Sequence, residues 1–158
     1  MVAIQFEYQR DLHCKAVHGP SGTELNTDAP KGNQGRGESF YPTDLAATAF
    51  GTCMRSVMGI MARTLKIDIV GTTATVEKEM TSAPPRRIQS LTAKIHVPHD
   101  LSLENKEKLE RAARTCPVHK SLHPDVQTSI GSGFESDSIQ SRSQERNAPT
   151  RLLFTVRS

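Results

Sequence analysis

The chain has 158 residues, enough for one domain with a real core; only 35% of them are apolar and tryptophan is absent, so that core is aliphatic and rich in methionine. The formal charge is +3, but residues 137–158 hold four arginines against two acids, and the remaining body is nearly neutral. A near-neutral body gives no electrostatic case for nucleic acid.

The N-terminus, MVAIQFEYQR, lacks a basic stretch followed by an apolar one, so no secretory signal is expected and the compartment is read as cytoplasmic. Residues 2–9, 11–18 and 23–28 alternate or return after the Gly19-Pro20-Ser21-Gly22 turn, which predicts an antiparallel meander. Residues 30–39 are glycine-rich and read as a loop of the kind that borders sites.

The stretch Tyr41 to Ile67 is the centre of the chain. Thr43 is the expected helix cap, and Asp44 puts negative charge in the first turn. Apolar residues from Leu45 to Leu65 cover most of the helix surface, which predicts a buried helix. Thr48, Thr52, Arg55, Ser56 and Arg63 interrupt it, so a membrane span is rejected.

Two strands follow, 72–80 and 88–97, the first with Ala74, Val76, Lys78 and Met80 on one face. Ser102 caps a second helix with Leu109, Ala112, Ala113 and Cys116 on one stripe. Pro117 ends that helix and opens a short one, for which Cys116 is the cap. Residues 125–130 form a last strand, giving a domain over 1–130. Residues 131–158, rich in serine, glutamine and arginine, read as a disordered tail in which LLFTV is the apolar exception.

Three cysteines, at 14, 53 and 116, make no disulfide framework, and in a reducing compartment they are catalytic, metal-binding or inert. A cysteine is often a small core hydrophobe. Cys116, at a helix N-terminus beside His119 and Lys120, is expected to have a lowered pKa. Cys116, His119 and His123 also stand at ligand-like spacing with Cys53 as a fourth ligand, although there is no second close-spaced pair. A Cys/His hydrolase is a further alternative, for which no orienting acid or oxyanion hole can be placed.

The segment ESFYPTDLAATAFGTCM resembles the first-cysteine helix of the osmotically inducible protein C family, which includes organic hydroperoxide resistance proteins. VEKEMTSAPPRRIQSL resembles the strand pair that follows, LERAARTCPVHKSLHPDV the second-cysteine segment, and CKAVHGPSGTELNTDAP the opening hairpin of one branch. The four motifs, in the family's order, cover about residues 10–127. The resemblance implies an α+β fold with antiparallel sheets around a long central helix, in an intertwined homodimer. It implies a thiol peroxidase of oxidative or osmotic stress defence that reduces organic hydroperoxides or hydrogen peroxide. Cys53 would be the peroxidatic and Cys116 the resolving cysteine, with a dithiol reductant such as a lipoyl group. No cofactor, metal, nucleic acid or membrane partner is expected.

The peroxidase branch pairs an N-terminal arginine with a glutamate near the helix start. Here Asp44 is the matching acid, one methylene shorter, and no arginine falls at the matching place. His18 in the hairpin, or Arg36 or Arg10, is the nearest candidate. The alternative is a redox-sensing or small-molecule-binding protein of the same fold with little turnover.

Overall fold

The computed structural model describes residues 1–133. The opening meander is present: β1 (Ile4–Tyr8), β2 (Cys14–His18) and β3 (Glu24–Thr27) form one antiparallel sheet. A short 3-10 turn at Lys31–Asn33 lies in the glycine-rich loop, and α1 runs from Pro42 to Leu65. β4 (Thr73–Met80), β5 (Ile88–His96) and β6 (Gln127–Gly133) form the second sheet, with α2 (Leu103–Ala113) and α3 (Pro117–Ser121) between β5 and β6.

α1 begins earlier than Thr43. Proline fits the first helical position, where its fixed φ is already helical and its missing N–H is not needed. Pro42 therefore opens the helix and Tyr41 is the cap residue. The Tyr41 N–H donates to Asp44 Oδ2 at 2.9 Å, the carboxylate half of a capping box. The helix ends where Lys66 turns left-handed at φ 55°.

The second sheet is mixed rather than antiparallel throughout. β4 and β5 are antiparallel, but β6 pairs with β5 in parallel, Leu91 opposite Thr128. A hairpin cannot join parallel strands, and α2 with α3 supplies the crossover. β6 continues to Gly133, so regular structure passes residue 130. The rest of the proposed tail, residues 134–158, lies outside the described residues.

The core forms where α1 lies across this sheet. Phe50, Met54 and Met58 pack with Leu91, Ala93 and Ile95 of β5 and with Leu109 and Ala113 of α2. Gly51 allows the close approach to β4, since a Cβ there would stand 2.9 Å from Val76 Cγ2. By length and composition α1 would suit a membrane span; its packing makes it the core helix of a globular fold. Within the single chain its Thr48, Thr52, Ser56 and Ile60 side is open. β1 is exposed along its whole length.

Candidate active site: two thiols between α1 and α3

Cys53 sits on α1 where the buried face meets the open one, and is half-buried. Cys116 is fully buried and caps α3, because the following proline breaks α2 away from α3. The fold brings the two together: Cys53 packs against the core cluster that contains Cys116, near enough to influence its thiol, and both thiols are free. Cys14 lies elsewhere, in β2 between Tyr8 and Thr27.

The helix-terminus expectation for Cys116 is reversed. Burial pushes its thiol above the usual range, and the Cys53 contact adds to this. The His119 and Val118 N–H groups pull the other way and do not prevail. A five-residue helix has little dipole to offer, whereas loss of water disfavours the thiolate directly. Cys116 is thereby kept protonated at neutral pH.

Asp44 is held away from the thiols. It lies nine residues before Cys53, about 13–14 Å along a helix. Its carboxylate accepts from Lys78 Nζ at 2.5 Å, and Lys78 also donates to Thr43 Oγ1 at 2.7 Å with the Tyr41 ring 5.9 Å away. Burial raises the Asp44 pKa, but the hydrogen bonds from Lys78 and the Tyr41 N–H, with the lysine's charge, hold it below the usual value. The ion pair is with a lysine, not an arginine. The signal in the sequence was a cation sharing one face of β4 with Ala74, Val76 and Met80, where a half-buried charge needs a partner.

The other candidates are engaged elsewhere. Arg36 pairs with Asp11 at 2.6 Å, tying the glycine-rich loop to the β1–β2 turn. His18 Nδ1 lies 2.7 Å from Ser21 Oγ inside the next turn. The metal-ligand spacing does not converge: His123 is exposed and its Nδ1 accepts from the Asp125 N–H. Among the described residues no group of three or more His, Cys, Asp or Glu comes together to hold a metal.

A buried carboxylate that the sequence reading missed fixes the approach to α1. Asp28 accepts from the Glu38 N–H at 2.8 Å and the Ala29 N–H at 2.6 Å, with His13 Nε2 3.8 Å away. The Glu38 hydrogen bond leads the effects that lower its pKa, against the opposing pull of burial. Asp28 and Asp44 both have folded pKa values depressed from the ordinary 3.8. Such groups stabilise the fold fully above that value and lose this contribution as pH falls through the folded value. Acid denaturation monitored by circular dichroism is therefore expected to set in below about pH 4, and Asp28→Asn is expected to flatten that limb. An unchanged acid limb in the variant would contradict this.

A groove of about 510 Å³ lies between α1 and α2, and neither thiol lines it. Val57, one turn beyond Cys53, and Thr115, next to Cys116, line it, with Ile60, Met61 and Leu65 further along and Lys108 and Arg111 at the side. A second groove of similar volume, between α1 and β4, likewise contains neither thiol.

These features define an α+β protein with a dithiol set between its central helix and a proline-opened helix. The family model for OsmC-like proteins matches residues 35–131, which include both cysteines, and the chain belongs to that family. A crystal structure from Psychrobacter arcticus 273-4, of a candidate osmotic stress induced and detoxification response protein, is 42% identical; the match covers 84% of this chain and 96% of that one at a TM-score of 0.80. An organic hydroperoxide resistance protein OsmC from Legionella pneumophila shares the fold at 18% identity, covering 84% and 96% with a TM-score of 0.67. One from Elizabethkingia anophelis does so at 18%, covering 84% and 94% with a TM-score of 0.65. No curated protein matches the chain.

Proposed function

We propose that this protein is a cysteine-based peroxidase that reduces organic hydroperoxides in the cytoplasm. The observation that carries the reading is the contact between Cys53 and Cys116. The Cys53 thiolate attacks the outer peroxide oxygen, the O–O bond breaks, and the alkoxide leaves as alcohol after taking a proton. Cys53 becomes a sulfenic acid. The Cys116 sulfur then displaces the sulfenic oxygen, giving a disulfide and water, and a dithiol reductant restores both thiols. The apolar groove between α1 and α2, lined by Val57 one turn beyond Cys53 and by Thr115 next to Cys116, favours an organic peroxide over hydrogen peroxide. The working unit is a homodimer.

A redox-sensing or binding role is the second reading. What favours it is that Asp44 is already bound by Lys78, while Arg36 and His18 are engaged elsewhere. Turnover separates the two. Purified protein with dihydrolipoamide is expected to consume cumene hydroperoxide repeatedly, and faster than hydrogen peroxide. One equivalent consumed, with no further turnover, would favour the sensing role.

A further inference from the structure

Cys116 is carried by a helix that does not hold itself in place. α3 has five residues, far too few to be stable alone. Val118 and Leu122 pack it against the core. His119 ties it down in three directions. Its ring meets Phe50 edge-on, with centroids 5.7 Å apart at 68°, and Phe50 is a buried residue one turn before Cys53 on α1. Its Nε2 lies 2.9 Å from Thr128 Oγ1 on β6, and its Nδ1 3.4 Å from the Arg114 carbonyl oxygen.

We propose that His119 is a positioning residue that clamps the Cys116 thiol against Cys53. Both ring nitrogens already face oxygen partners, so the ring does not act as a base toward the thiols. Its role in a catalytic cycle rests on the peroxidase reading. There, the Cys53 sulfenic acid has two fates. Attack by Cys116 forms the S–S bond, breaks the S–O bond and releases water, the thiol proton leaving with the hydroxyl. Attack on a second peroxide gives sulfinic acid and another alcohol. The first route is intramolecular and gains from a thiol already in place, and the clamp decides the ratio.

The test does not depend on peroxide. The full chain is equilibrated in glutathione and glutathione disulfide mixtures, and the disulfide fraction is read by intact mass after alkylation. This gives the effective concentration of Cys116 at Cys53. His119→Ala is expected to lower it roughly tenfold, having lost both the ring contact and the Thr128 partner. Thr128→Val, which leaves the ring on Phe50, is expected to lower it about threefold, and it supplies the measurement should the alanine variant not melt cooperatively. Wild-type effective concentration in a folded variant of either kind would overturn the clamp. With peroxide added, His119→Ala is expected to accumulate Cys53 sulfinic acid. Failure of the wild type to form sulfenic acid would sink the peroxidase reading, and the glutathione measurement would still decide the clamp.

Discussion

Peroxide consumption is expected to vanish in Cys53→Ser and to stop after one event per chain in Cys116→Ser. The difference follows from where the two sulfurs lie. Cys53 is half-buried, while Cys116 has no solvent exposure and keeps its proton. A thiolate is the nucleophile toward peroxide, and a buried thiol with a raised pKa is a poor one. Cys116 is suited to wait until Cys53 is oxidised. Removing it leaves the Cys53 sulfenic acid without its partner, so it should persist or advance to sulfinic acid. Intact mass after one equivalent of peroxide is expected to show one added oxygen on Cys116→Ser, two fewer hydrogens on the wild type, and no oxidation at residue 116 in Cys53→Ser. Equal turnover in all three proteins would refute the assignment of both sulfurs.

The elements that the sequence made legible are those governed by local rules. Pro117 broke α2 from α3 and made Cys116 a cap, because proline disfavours a helical residue before it and suits the first position after it. Period-two alternation identified β4 and β5, and Ala74, Val76, Lys78 and Met80 do share the less exposed face of β4. The resemblance then selected Cys53 and Cys116 from among three cysteines, and the fold placed those two in contact. What the sequence did not show depended on contacts distant along the chain. The direction of β6 is set by the crossover through α2 and α3. Lys78 reaches Asp44 across 34 positions, and Arg36 finds Asp11 across 25. The rise in the Cys116 pKa comes from burial, which a helix-cap motif does not report.

The chain is expected to be a homodimer, with a solution mass near twice the 17.4 kDa of one chain. A helix apolar nearly all round needs more cover than one small domain provides, and in the single chain α1 leaves Ile60 65% exposed. The polar residues on that open side do not need water. Thr48, Thr52 and Ser56 each donate a hydroxyl back to the carbonyl four residues earlier, at 2.8–3.0 Å. With their donors used inside the helix, they present small, smooth surfaces that another helix can approach. The first sheet has the same unfinished character, with Phe6 74% and Tyr8 66% exposed on one face of β1. An exposed apolar helix side and an exposed apolar strand in one small chain are what a second copy of the chain would cover, through a self-complementary two-fold interface. Ile60→Asp places a carboxylate where that interface closes, and an unpaired charge there costs several kcal/mol, roughly a hundredfold or more in association. Light scattering at micromolar concentration is expected to show a dimer for the wild type and a shift toward the single-chain mass for Ile60→Asp. A wild-type mass of one chain would show instead that the open side of α1 is a solvent surface and that the thiol site is complete within a single protomer.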